Sequence, residues 1–308
     1  MDRFGQAAEQ VLGGFRQRRP MRAGSLIVSF FGDVVAPRGG SVWLGGLIQT
    51  LEQMGVSGRL VRTSMYRLVQ DGWFEASKSG RKSYYSLTQL GSRRFRLATE
   101  RIYGRPRDDW QGEWLMVLVP PGMGGQRDSL RKELGWLGFG SLTTGLMGRP
   151  VGAGRELEEF LAEQSQPPVA YRASLLDSVS PALVEEMIRN SWKLGETEQG
   201  YQRFIKRFAP LLDAASKSAD LPGEVSLLLR VLLVHEYRRI LLRDPQLPAA
   251  LLPENWHGQL AYELCRELYG TLLAASEDYV SNKLVTKSGP LPPPGSLFFR
   301  RFGGLNPA

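Results

Sequence analysis

The sequence predicts an α+β chain of several domains. It begins with a small unit of helices and a hairpin, continues as a small ferredoxin-like α/β sandwich, and ends mostly helical. Three observations predict this. Residues 41–87 read as two short helices followed by a two-stranded hairpin. Residues 114–175 alternate apolar runs of strand length with short amphipathic stretches. From Ser180 onward apolar residues recur at helical spacing. The expected boundaries are a flexible leader at 1–23, a first domain at 24–104, a middle domain at 105–178, and a helical domain with an extended tail at 179–308.

In the leader, Arg16, Arg18, Arg19 and Arg22 form a loosely structured basic arm. A first helix follows at residues 25–32. Ser41 is placed to cap the next helix, in which Leu44, Leu47, Ile48 and Leu51 share a face, and Gly55 closes it. After the short turn at Val56 and Ser57, a helix at 59–71 turns Val61, Met65 and Leu68 inward. Arg59, Arg62, Thr63, Tyr66, Arg67 and Gln70 stay outside. Gly72 ends it, and strands at 73–77 and 82–87 flank the turn Lys78-Ser79-Gly80-Arg81. Helix, turn, helix and basic hairpin is the layout of a winged helix-turn-helix, which lays its second helix in the major groove of DNA. A basic amphipathic helix alone is usually a solvated surface, as is a basic hairpin tip. Their order, the short turn and the wing together make the reading specific.

Thr88 is placed to cap a further helix at 89–103 bearing Arg93, Arg94, Arg96 and Arg101, and residues 105–109 read as a linker. In the middle domain, residues 114–119 form a buried strand halted by Pro120 and Pro121. Asp128 caps a helix with Leu130, Leu134 and Leu137 inward. A strand at 139–147, a helix at 155–164 and a strand at 169–175 complete it. Ser180-Pro181 then starts a helix, Thr197 opens another, and helices follow at 225–242 and 260–275. After the Pro/Gly-rich stretch 289–295, an apolar arm of Leu297, Phe298, Phe299 and Phe302 must pack, by default on the protein's own body and otherwise on a second subunit.

The charge is unevenly placed. Residues 1–110 carry 18 Lys and Arg against 9 Asp and Glu, whereas the rest of the chain carries 21 against 22. All the excess positive charge therefore accompanies the helix-turn-helix, the footprint of a module that binds a polyanion. A single cysteine, Cys265, excludes a disulfide framework, and two histidines, His235 and His257, supply no zinc-type cluster. No signal core and no run of membrane-spanning length is present, because Arg230 interrupts the apolar stretch 227–234. The expectation is a soluble cytoplasmic protein, nucleoid-associated when on DNA, with no membrane, metal or cofactor.

Within the predicted second helix, Arg62 and Arg67 suit bidentate contacts to guanine edges, while Thr63 suits a thymine methyl or a phosphate. Tyr66 shares their exposed row. Arg59, Lys78, Arg81 and Lys82 are better placed for phosphates that set register.

Four stretches carry a resemblance to a known family. They are Arg38-Gly39-Gly40 with Trp43-Leu44-Gly45, Val61-Arg62-Thr63 with Arg67-Leu68, the wing Gly80-Arg81-Lys82-Ser83-Tyr84-Tyr85-Ser86-Leu87, and His235 with Tyr237-Arg238-Arg239. The last continues through Leu242-Arg243-Asp244-Pro245, Leu247-Pro248, Leu251-Leu252-Pro253 and Trp256. The closing Gly295-Ser296-Leu297 and Arg301-Phe302-Gly303-Gly304-Leu305-Asn306 add to it. In these the chain resembles the PaaX family of bacterial transcriptional regulators over roughly residues 25–306. The resemblance implies an N-terminal winged helix, a middle domain similar to the small Cas2-type ferredoxin fold, and a helical C-terminal domain. It also implies a homodimer on a partly palindromic double-stranded operator of a phenylacetate catabolic operon, released by phenylacetyl-CoA.

An acyl-CoA inducer requires cations at one end of its site and apolar or aromatic groups at the other. His235, Arg238, Arg239, Arg243 and Trp256 offer both kinds. The competing reading is that Arg238 or Arg239 pairs with Asp244 and that His235 is a satisfied core histidine. Two other classes stand beside the repressor: a non-specific nucleic-acid-binding protein, and a CoA-thioester or nuclease-type enzyme on a Cas2-like core. The nuclease needs an acidic metal ligand where the first middle-domain strand ends, and that strand ends Val117-Leu118-Val119-Pro120. A thioesterase needs a nucleophile–base pair, and no Gly-x-Ser-x-Gly elbow occurs. No catalytic residue is expected.

Overall fold

A computed structural model describes residues 2–105, 110–120, 125–151, 156–162, 168–175 and 180–305. Beyond Arg105, the linker expected at 105–109 lies outside the described residues. The chain divides into two compact units. One comprises Met1–Arg105, Tyr201–Arg239 and Gly258–Ala308, the other Pro106–Gly200 and Ile240–His257.

The first unit opens with α1 (Arg3–Arg16), where a flexible leader was expected. Phe4, Ala8, Val11, Leu12 and Phe15 keep helical spacing and are buried. Asp2 caps the helix by accepting from the Gly5 amide at 2.6 Å. The flanking Gly, Gln and Arg residues lower the segment's mean hydropathy and disguise a stripe whose burial holds it in place. α2 (Ala23–Phe30) runs into a π-helical turn at Phe31–Val35, with Leu26, Ile27, Phe30, Phe31, Val34 and Val35 all fully buried.

β1 (Ser41–Trp43), α3 (Leu44–Glu52), α4 (Gly58–Gln70), β2 (Phe74–Ser79) and β3 (Lys82–Leu87) follow, the strands forming an antiparallel sheet in the order β1-β3-β2. Ser41 is a strand residue rather than the expected helix cap. It pairs in register with Ser86, whose hydroxyl donates to Ser41 Oγ at 3.0 Å. The strand formers Val42 and Trp43 behind it favour pairing with β3 over helix initiation. α5 (Gln89–Tyr103) starts as predicted, Thr88 Oγ1 accepting from the Gly91 amide at 2.9 Å.

In the second unit, β4 (Glu113–Leu118), α6 (Gly125–Trp136), β5 (Gly140–Thr143), β6 (Leu146–Pro150), α7 (Glu156–Ala162) and β7 (Ala170–Ser174) give a β–α–β–β–α–β connectivity. The sheet is antiparallel, ordered β5-β6-β4-β7. The single strand expected at 139–147 is a hairpin, because Thr144 and Gly145 form a turn inside it. Asp128 lies within the first turn of α6 rather than capping it. One sheet face packs Val117 and Met147 against Leu130, Leu134 and Leu157. Trp114, projecting to the opposite face of β4, packs with Ile188 and Trp192 of the segment that includes α8 (Pro181–Ser191). A Cβ on Gly140 would come within 2.5 Å of the Trp192 ring, so this approach requires glycine.

α9 (Leu194–Ser216), α10 (Gly223–Leu241), α11 (Gly258–Lys283), β8 (Val285–Thr286), β9 (Gly289–Pro290) and α12 (Ser296–Phe299) complete the chain. α9 begins three residues ahead of Thr197, and α11 is longer than the predicted 260–275. The helical domain expected at 179–308 is not a compact unit of its own. α8 and residues 240–257 belong with the second unit, while 201–239 and 258–308 belong with the N-terminal region.

Buried charge accounts for the second grouping. Asp33, on the π-helical turn, is fully buried. Its Oδ2 accepts from Arg230 Nε of α10 at 3.0 Å. Its Oδ1 accepts from Arg301 Nη1 at 2.8 Å, Tyr269 OH at 2.8 Å and Tyr103 OH at 3.0 Å. Arg230 also donates to Glu277 Oε1 at 2.6 Å and Ser276 Oγ at 2.8 Å, and Glu277 pairs with Arg38. Thus the arginine that interrupts the apolar run 227–234 finds one of its counter-charges, Asp33, 197 residues upstream. The apolar arm folds onto this unit, with Phe298 and Phe302 buried and Leu297 exposed.

Candidate nucleic-acid interface

α4 is built locally. Ser57 caps it by accepting from the Leu60 amide at 3.4 Å, and buried Gly58 lets α3 approach. A Cβ at Gly58 would meet Ile48 and Glu52 side-chain atoms at 3.0 Å. Val61 and Met65 are fully buried, Leu60 and Leu68 half-buried. The opposite face exposes Arg59, Arg62, Thr63, Tyr66, Arg67 and Gln70, a row at helical spacing. Among the described residues no acidic side chain pairs with Arg59, Arg62 or Arg67. Thr63 Oγ1 donates back to the Arg59 carbonyl at 3.0 Å.

The hairpin turns over Gly80 and Arg81, with Ser79 paired to Lys82 and Gly80 at φ +57°. Lys78, Arg81 and Lys82 are exposed. Lys82 Nζ stands 4.9 Å from the centroid of the Trp43 ring, a contact that steadies the ammonium without neutralising it. On α5, Arg93, Arg94 and Arg96 are exposed as well, Arg94 lying over the Trp73 ring at 4.7 Å. All eight residues singled out for nucleic acid are therefore on the surface, five on one helix face and three around one hairpin tip.

The residues proposed for a ligand divide between the units. His235, Arg238 and Arg239 belong to the first unit, Arg243 and Trp256 to the second. His235 is buried, its Nδ1 3.0 Å from Ser29 Oγ and its ring edge-on to Phe15. Burial, reinforced by the guanidiniums of Arg238, Arg239 and Arg18, pushes its pKa down to about 3. This is the satisfied core histidine of the competing reading. Arg238 Nη2 donates to Ser25 Oγ at 3.0 Å and its carbonyl at 3.2 Å, and burial lowers its pKa. Arg239, exposed, lies 3.6 Å from Glu236, which also takes both terminal nitrogens of Arg18 at 2.7 and 2.8 Å. The buried Asp244 accepts from the Gln246 amide at 2.6 Å.

Arg243 is exposed, and Trp256 lines a cavity of about 270 Å³ inside the second unit. Among that cavity's other walls, Ile188, Leu194 and Leu251 were not legible in the sequence, because they come from three separate segments and carry no shared local pattern. Among the described residues no group of His, Cys, Asp and Glu could hold a metal ion, and no helix is long and apolar enough to cross a membrane. Cys265 is fully buried, and burial raises its thiol pKa well above the ordinary value.

Three family profiles match successive parts of the chain: PaaX-like protein over residues 22–91, PaaX protein central Cas2-like domain over 107–172, and PaaX-like protein C-terminal domain over 192–282. The transcriptional repressor PaaX of Escherichia coli (strain K12) is 38% identical over 290 residues, covering 93% of this chain and 92% of that protein. A solved structure, the uncharacterized protein Rv0674 from Mycobacterium tuberculosis, has 24% identity and a TM-score of 0.49, covering 76% of this chain and 89% of its own. With such identity along nearly its whole length, and with all three profiles matched in order, the chain belongs to the PaaX family.

Proposed function

We propose that this protein is a DNA-binding transcriptional repressor, a regulator and not an enzyme, acting in the cytoplasm on an aromatic catabolic operon such as that for phenylacetate. In this reading residues 24–104 work as a winged helix-turn-helix and the β4–β7 sheet with its helices as a ferredoxin-like body. A homodimer reads two operator half-sites. An aryl-acyl-CoA such as phenylacetyl-CoA releases it by binding the DNA-incompetent state more tightly. The observation that carries the reading is the exposed row Arg59, Arg62, Thr63, Tyr66 and Arg67 on α4 beside the basic wing, in a chain 38% identical to a repressor.

Two substitutions separate base reading from phosphate contact. Arg62→Ala is expected to cost about 1–3 kcal/mol of operator affinity and to relax preference at one base position. Lys82→Ala is expected to weaken operator and random DNA alike and to reduce the salt dependence by about one phosphate contact. Fluorescence anisotropy on both DNAs across a salt series measures each. Equal losses on the two DNAs for Arg62→Ala would remove Arg62 from base readout. The repressor reading as a whole is tested by titrating DNA from the protein's own promoter region with and without phenylacetyl-CoA and free CoA. Release by phenylacetyl-CoA alone is the expected result. Binding without operator preference would point to nucleic-acid packaging instead.

A further inference from the structure

We propose that the cavity of the second unit seats the aromatic ring of the inducer's acyl group, with the rest of the inducer outside. This rests on the repressor reading above. The cavity holds about 270 Å³ and lies where α8, the first turn of α9 and the segment around Trp256 meet. Its walls are mostly apolar: Ile188 and Leu194 are buried members of one core cluster with Leu251, and the half-buried Trp256 packs against that cluster.

Size selects the occupant. Apolar cavities of about 150 Å³ stay dry and accept benzene. A cavity under twice that size takes one ring with a short arm. It falls just below the range of about 300–1,000 Å³ used by whole drug-sized ligands, which suits the ring better than the whole inducer.

Charge selects against the other end of the molecule. Glu198, on the wall, is already engaged by the His257 backbone amide at 3.1 Å and by His257 Nδ1. Glu185 holds Arg189 at 2.5 Å in an exposed pair. The site therefore has two carboxylates and one paired cation, a poor seat for phosphates and a good one for an uncharged ring stacked on indole.

Gly195 supplies the test. It lines the cavity, and a Cβ built on it would meet no heavy atom within 4 Å. Gly195→Leu therefore adds an apolar side chain at the cavity's edge without a clash and improves helix propensity. Calorimetric titration with phenylacetyl-CoA and with free CoA, paired with operator binding, is the experiment. The expected result is at least a tenfold loss of phenylacetyl-CoA affinity and of operator release, with operator affinity and free-CoA binding unchanged.

A second measurement needs no cavity-filling variant. In protein labelled with 5-fluorotryptophan, the Trp256 resonance, assigned by its loss in Trp256→Phe, should shift with phenylacetyl-CoA and stay fixed with CoA. If wild-type protein binds phenylacetyl-CoA and releases DNA while Gly195→Leu behaves identically, or the Trp256 resonance does not move, the ring sits elsewhere and the repressor reading survives. If wild-type protein binds its operator and ignores phenylacetyl-CoA, the inducer reading falls and this assignment falls with it.

Discussion

Asp33→Asn will destabilise the first unit by about 3–5 kcal/mol, the cost of breaking a buried ion pair by neutralising one partner. Asparagine keeps the shape and removes the charge. Arg230 and Arg301 are both buried; Arg230 is then left with Glu277, shared with Arg38, and Arg301 loses the carboxylate it pairs with. Thermal unfolding at pH 7, followed by circular dichroism, should show the midpoint lowered by roughly 10 °C. A midpoint within a degree or two of wild type would mean the cluster does not depend on the Asp33 charge. The acid side carries the same sign. Burial opposes ionisation of Asp33, but Arg230, Arg301 and the two tyrosine hydroxyls outweigh it and leave the pKa below the ordinary carboxylate value. Its contribution is therefore present above the unfolded value and lost as pH falls through the folded one.

A second large effect is acid sensitivity at a higher pH, set by His235. Its pKa falls from 6.5 to about 3, first through burial and then through Arg238, Arg239 and Arg18. The Ser25 carbonyl and Glu236, 4.0 Å from Nε2, oppose the fall and are outweighed. Because the folded pKa is depressed, the unfolded chain takes the proton first. Stability is then complete above about pH 6.5 and declines as pH falls toward 3, by roughly 2 kcal/mol at pH 5. Chemical denaturation at pH 7.5 and pH 5 measures this in wild type. His235→Gln, which keeps a partner for Ser29 and cannot be protonated, should lose most of the difference. An undiminished difference in the variant would assign the acid sensitivity to other groups.

The exposed basic face of α4 and the hairpin was legible because every signal for it is local. Helical spacing alone decides that Val61 and Met65 turn inward while Arg62 and Arg67 turn out. Gly55, Gly72 and Gly80 adopt positive φ where turns were read, and Thr88 caps α5 as its position predicts. The family resemblance was carried by equally local strings. Local reasoning failed where a residue's partner lies far along the chain. Ser41 went to a strand because Ser86 was there to pair with it. α1 is ordered by the body it packs on, which its own composition does not announce. His235 and Arg238 contact Ser29 and Ser25 more than two hundred residues upstream, which the local row of charges does not announce.

By itself the sequence determined the amphipathic periods, the Thr88 cap, the basic hairpin and the concentration of positive charge in the first 110 residues. Those properties depend on neighbours within a few positions. Tertiary structure alone decided that Asp33 meets Arg230 and Arg301, that the tail closes over the N-terminal region, and that Ile188, Leu194, Leu251 and Trp256 surround one cavity. The reason is physical: a buried charge and an apolar wall are stabilised by whatever reaches them in space, and distance along the chain leaves no trace of that in composition or periodicity.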